Sequence, residues 1–169
     1  VDITTIILIV VVVLVTIGVT YAISKKEKPE DAKAADSNNN NASVQMQLQA
    51  YERLILLVDR IALPNLISRV GKTPMSARDM QHLLTQSIRE EFEYNITQQI
   101  YVSADAWTAV KNLKEQNMLI VNQLANVLPP NANGLDLNKL LLEFLMNDKK
   151  GTLHEVVSEV LSYEAKKVM

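Results

Sequence analysis

The chain has no cysteine, which excludes a disulfide framework, a thiolate metal site and a cysteine nucleophile together. Aromatic residues make up only 5%, and four glycines and five prolines are spread over 169 positions. Scarce aromatics argue against sheet, and the abundance of Leu, Gln, Asn, Glu and Lys favours helix. A bias of charge is missing too. From Ser43 onward 13 Lys and Arg stand against 14 Asp and Glu, with no long run of either sign, so the domain lacks the electrostatic footprint of a nucleic-acid binder. There is no nucleophile elbow of the Gly-x-Ser-x-Gly kind, no phosphate-binding glycine loop and no dinucleotide fingerprint. Nothing in the sequence gives a positive reason to propose an enzyme, and no cofactor, metal or catalytic residue is expected.

What the chain does have is one long hydrophobic run. Between Asp2 and Lys25 lie 22 residues without a charge, centred on Ile6-Ile7-Leu8-Ile9-Val10-Val11-Val12-Val13-Leu14-Val15. At about 1.5 Å per residue these span roughly 33 Å of helix, matching a hydrocarbon core of about 30 Å. β-branched residues form helices poorly in water, but in lipid every backbone amide must be paired within the segment, so the bilayer imposes the helix. Residues 1–24 are therefore read as a transmembrane anchor that meets lipid through residues 3–24, with Tyr21 near one interface. A secretory signal peptide would need a basic start and a shorter apolar stretch.

Lys25, Lys26, Lys28 and Lys33 follow this run and no Lys or Arg precedes it. Basic flanks stay on the cytoplasmic side, which predicts a single-pass cell-membrane protein with its N-terminus outside and its C-terminal domain in the cytoplasm. Gly18 and Ala22 form a small-xxx-small pair of the kind that lets helices approach closely in lipid. Residues 25–42 read KKEKPEDAKAADSNNNNA, a polar stretch expected to be a disordered linker. The layout resembles that of small single-span bacterial envelope proteins, a likeness of architecture alone.

Residues 43–169 are expected to form a compact all-α bundle of about four to five helices. From about Val44, Leu48, Tyr51, Ile55, Val58 and Ala62 recur at spacings of three and four, widened by Leu54 and Ile61 into a core-facing stripe. Pro64 should kink or end this helix, and the segment closes near Gly71. Ser76 with Asp79 marks the next helix start, followed by Met80, Leu84, Ile88, Phe92, Ile96 and Ile100. A strict spacing of four drifts by about 40° per step around a straight helix, so this helix should curve or meet several neighbours. Ser103 is a plausible N-cap for a helix carrying Trp107, Val110, Leu113, Ile120, Val121, Leu124 and Leu128, ending at Pro129-Pro130. Leu135 to Met146 form a short apolar helix after a loop over 131–134. Thr152 with Glu155 form a capping box for the last helix.

Several polar groupings invite a chemical reading, and each has a plainer one. Asp79 and His82 share a helix face as in di-metal bundles, but the second such pair is missing. His154-Glu155 resembles the start of a zinc-protease motif, yet Ser158 stands where the second His belongs. Glu90, Glu91 and Glu93 fall within one turn and point in different directions, as on a solvated face. Trp107 suits the core better than an interface anchor. The run containing Leu140, Leu141, Phe144 and Leu145 carries more apolar residues than a short helix can bury on one side, and with Gly18 and Ala22 it is the candidate interaction surface. The expected role is a membrane-tethered, non-enzymatic interaction module, an accessory or scaffold subunit of a membrane complex, with a protein partner or a homo-oligomer and no nucleic acid. A self-associating structural membrane protein is the second possibility, and a ligand-binding or enzymatic bundle around Asp79, His82 and the Glu90 to Glu93 cluster is the third.

Overall fold

The structure, a computed structural model, describes residues 30–71, 73–147 and 153–169, with side chains from residue 41 onward. The expected anchor over residues 1–24 and the start of the expected linker lie outside the described residues. Among the described residues no helix is long and apolar enough to cross a membrane. They form six α-helices and one short 3-10 helix, with no strand, and residues Ser43–Met169 make a compact unit. The all-α expectation holds.

Helix α1 runs from Glu30 to Ile61, so it starts upstream of the expected Val44 and residues 30–42 are helical rather than coil. The Asn run looks like a break on propensity, but Asn costs only about 0.7 kcal/mol per residue against Ala. No Gly or Pro falls between Glu30 and Ile61, and Ala32, Ala34 and Ala35 are strong helix formers. From Ala50 onward the helix turns Ala50, Tyr51, Leu54, Leu57, Val58 and Ile61 into the core.

The expected break at Pro64 separates α1 from α2 (Leu63–Val70), with Ala62 in an extended conformation between them. A break of this kind orphans the last carbonyls of the first helix. Here three side chains satisfy three of them. Asn65 Nδ2 donates to the Asp59 carbonyl at 3.1 Å, Arg69 Nη2 to that of Arg60 at 3.2 Å, and Asn117 Nδ2 to that of Ile61 at 2.8 Å. The break adds one helix to the expected four or five.

Helix α3 (Ala77–Tyr94) begins at Ser76, whose Oγ accepts from the Asp79 amide at 3.1 Å, as the sequence predicts. It buries Met80, Leu84, Ile88 and Phe92 and packs on α2 and on the two helices that follow the 3-10 turn. The stripe does not extend to Ile96 and Ile100. Asn95 caps α3, its Nδ2 donating to the Glu91 carbonyl at 2.9 Å, and the chain tightens into a 3-10 helix over Ile96–Ile100. After four steps of drift Ile96 would lie on the far side from Met80. Both isoleucines are exposed.

Helix α4 (Ala104–Asn126) is capped by Ser103, whose Oγ accepts from the Ala106 amide at 3.1 Å. The Ser103 amide in turn donates to the hydroxyl of buried Tyr51 at 3.2 Å, tying the start of α4 to α1. Trp107 stacks on Phe92 with ring centroids 5.1 Å apart and packs against the core. Helix α5 spans Gly134–Asn147 and helix α6 spans Leu153–Val168. Asn133 and Asp136 cap α5 reciprocally: Asn133 Oδ1 accepts from the Leu135 and Asp136 amides, and Asp136 Oδ2 from the Asn133 amide. Thr152, the expected cap of α6, lies outside the described residues.

Two loops meet in a short clasp that the sequence gives no sign of. The Gly134 amide donates to the Met75 carbonyl at 2.8 Å and the Ala77 amide to that of Ala132 at 3.0 Å. A Cβ on Gly134 would come 3.0 Å from the end of the Met80 side chain and 3.2 Å from Met75 Cγ, so a larger residue there would make both methionines shift by a few tenths of an ångström. Helices α3 and α4 pack on each other, α5 lies across both, and α6 lies on α4.

Candidate functional site

Two features of this bundle present chemistry to solvent. The first is a cleft of about 790 Å³ between the end of α1, α2 and α3, lined by three arginines, Arg53, Arg60 and Arg69, and by Leu56, Leu57, Ser87, Glu90, Glu91, Tyr94 and Asn95. The chain has five arginines and twelve lysines, yet every cation of this cleft is a guanidinium. Arg53 and Arg60 sit seven residues apart and so share one face of α1. Arg69 reaches the same place because the Pro64 break turns α2 back and its guanidinium caps the Arg60 carbonyl.

Arg60 donates through Nε to Glu91 Oε1 at 2.8 Å, and Arg69 Nη2 lies 3.6 Å from the same oxygen. The Glu91 hydrogen bond, followed by its charge, raises the Arg60 pKa above the usual arginine value. Arg53 instead lies over the ring of Tyr94, 5.3 Å from its centroid, a cation–π geometry. Among the described residues no carboxylate lies within salt-bridge distance of Arg53. Glu90 accepts from Gln86 Nε2 at 2.7 Å along its own helix. The cleft therefore holds charged groups that are already oriented and an apolar wall, Leu56 and Tyr94, that water covers.

The second feature is on the last two helices. In α5, Leu135 is 66% exposed and Met146 86%, with Leu142 also exposed. Offsets of seven and eleven residues bring these three within about 40° of arc on a helix. The opposite side carries the buried Leu137 and Leu141. In α6 the exposed Val156, Val160 and Tyr163 repeat the arrangement at offsets of four and seven, beside the buried Val157 and Leu161, each about 100° round from the residue before it. Each helix thus has two apolar stripes, one used by the core and one open.

Of the residues singled out in the sequence, Leu141 is buried in the core, Phe144 and Leu145 are half-buried against it, and Leu140 is half-buried. Gly18 and Ala22 lie outside the described residues. The Asp79 carboxylate accepts from the Ser76 hydroxyl at 2.7 Å at the helix start. His82 lines a small polar cleft with Gln81, Thr85, Gln86, Arg89 and Asn122, whereas Glu90 and Glu91 line the arginine cleft. Among the described residues no group of three His, Asp or Glu side chains could hold a metal ion. Sequence reasoning overlooked the arginine cleft, although the offset of seven between Arg53 and Arg60 was open to view. Arg69 could not be added without knowing the turn at Pro64.

Among the described residues, the fold and these surfaces define an all-helical domain with open apolar stripes and a cleft lined by three guanidiniums. The chain belongs to the family of unknown function DUF7935, whose sequence profile matches residues 1–168. No curated protein and no solved structure matches it.

Proposed function

We propose that the chain is a membrane-tethered, non-enzymatic helical interaction module, an accessory or scaffold subunit of a membrane complex, with residues 43–169 on the cytoplasmic side. The observation that carries this is the open stripe Leu135, Leu142 and Met146 on α5. A helix that already buries Leu137 and Leu141 has no folding reason to keep a second apolar face in water. An amphipathic partner helix laid along that stripe would contact residues one and two turns apart, the usual pattern of helix recognition. The uncharged 22-residue segment and the four lysines after it support the tether and its orientation.

The absence of cysteine makes the test direct, since every introduced thiol is unique. A full-length chain carrying Met146→Cys should react with a membrane-impermeant maleimide only after the cells are opened. Reaction in intact cells places the domain on the other side. A photoreactive group at position 142 or 146 should give one discrete adduct with a second protein, and a group at exposed Arg78 should not. An adduct containing only this chain favours the self-associating alternative. No adduct above that from position 78 overturns the docking role.

A further inference from the structure

The arginine cleft has no part in that docking role, and its composition points to a small ligand rather than to a helix. The cleft's volume, about 790 Å³, lies within the range of small-molecule sites, roughly 300–1,000 Å³. Its lining carries three guanidinium groups against two carboxylates, an excess of one positive charge. Only one of these carboxylates, Glu91, lies among the guanidiniums. It occupies Arg60, stands at 3.6 Å from Arg69 and leaves Arg53 with an aromatic ring as its neighbour. A planar fork of donors suits a carboxylate bound edge-on through two parallel hydrogen bonds. Next to these donors Leu56 is 59% exposed and Tyr94 76% exposed, a pair of apolar surfaces at the charged end of the cleft.

We infer that the cleft between α1, α2 and α3 binds a small organic monoanion, a carboxylic acid with an aliphatic or aromatic body, with Arg53 and Arg69 on the carboxylate and Leu56 and Tyr94 along the body. One negative charge balances the excess in the lining. Glu91 holds the Arg60 side chain and the Arg60 carbonyl holds that of Arg69, so two of the three donors are fixed before the ligand arrives and less side-chain freedom is lost on binding. The plain alternative is that the arginines only brace the α1–α2 break. That accounts for Arg60 and Arg69 but not for Arg53, which accepts no structural duty beyond its ring contact.

With five arginines in the chain, the side-chain Nε–H signals of the full-length protein in neutral detergent give five probes. Titration with 3-phenylpropionate should move the signals of Arg53, Arg60 and Arg69 saturably and leave Arg78 and Arg89 in place. Octanoate should do the same, whereas acetate should bind about tenfold more weakly, because it cannot cover Leu56 and Tyr94. The uncharged 3-phenylpropanol should move none of the five. Arg53→Gln should weaken 3-phenylpropionate by about tenfold, the value of one charge-assisted hydrogen bond. Shifts that do not saturate, equal movement of all five arginines, or acetate as tight as 3-phenylpropionate overturns the site. The wild-type titration decides this even if a variant fails to fold.

Discussion

The first half of the domain, through α4, and the α5–α6 end treat their apolar residues differently. In α1, α3 and α4 most large apolar side chains are buried, Leu54, Leu57, Ile61, Met80, Leu84, Ile88 and Leu113 having almost no exposure, and the exposed ones, Met46, Leu56, Tyr94 and Leu119, are scattered singly. In α5 and α6 the same residue types occupy two separate stripes, and the core takes only one. A helix of 14 residues such as α5 gains its stability from packing one face. Further apolar residues on it add nothing to the fold unless something else covers them. Apolar residues left outside the core are therefore scattered in the first region and gathered into a stripe in the second.

The largest expected effect separates the regions by substitution of the same residue type. Leu54→Ala, at a side chain with no exposure, should cost about 2–5 kcal/mol of unfolding free energy through lost burial and the cavity left behind. Leu142→Gln, on the open stripe of α5, should change stability by less than about 0.5 kcal/mol. Urea unfolding of the full-length variants in detergent measures both. If Leu142→Gln were as damaging as Leu54→Ala, the open stripe would be part of the core and the proposed docking surface would be lost.

How far the sequence carried depended on whether one local rule acted alone. The helix starts at Ser76 and Ser103 and the break at Pro64 each follow from one residue type at one spacing and are legible; the α1 stripe is legible in part, since Ala50 and Leu57 are also buried and Leu48 and Ile55 only half-buried. The end of α3 is not legible, because the four-residue spacing runs on through Ile96 and Ile100 while the Asn95 cap terminates the helix. Helix α1 starts upstream of the expected Val44 because the Asn run, though a poor helix former, does not break it. The run from Leu140 to Leu145 reads in the sequence as an interaction surface, but a run in sequence is not a stripe in space: Leu141 is buried and Leu140, Phe144 and Leu145 are half-buried. The open apolar positions of α5 are Leu135, Leu142 and Met146, of which only Leu142 belongs to that run. The arginine cleft needs three helices to assemble, so only its Arg53 and Arg60 pair lay within reach of periodicity.

A smaller effect tests what braces the first region. Asn117 is buried, and its amide satisfies the Ile61 carbonyl across the α1–α2 break. Asn117→Ala leaves that carbonyl without a partner in a dry site and should cost about 1–3 kcal/mol. Asn65→Ala removes the corresponding bond to the Asp59 carbonyl, where water can substitute, and should cost clearly less. Equal losses would show that the break is open to water at both carbonyls, and α2 would then be a looser support for Arg69 than its hydrogen bonds indicate.

The smallest effect belongs to the charges of α6. Glu164 accepts from Lys167 Nζ at 2.8 Å, and this bond holds the Glu164 carboxyl below its usual range while raising Lys167 above its own. For a lowered carboxyl pKa the unfolded chain binds more protons in acid, so the stabilisation is present above the usual Glu range and is lost as pH falls through the folded value. For the raised lysine it is complete below the usual Lys range and is lost as pH rises through the folded value. The pair therefore acts in a window of roughly pH 4.3 to 10.4. It sits at the surface, where about 0.15 M salt screens charges beyond about 8 Å, and three-residue pairs on a helix contribute little. Glu164→Gln should leave the thermal midpoint at pH 7 unchanged in physiological salt, with a small decrease only at low ionic strength that disappears in acid. A clear loss at pH 7 in salt would mean that charge, rather than Val157 and Leu161, holds α6 to the bundle, and the open stripe on that helix would have to be reinterpreted as the consequence of a loosely docked end.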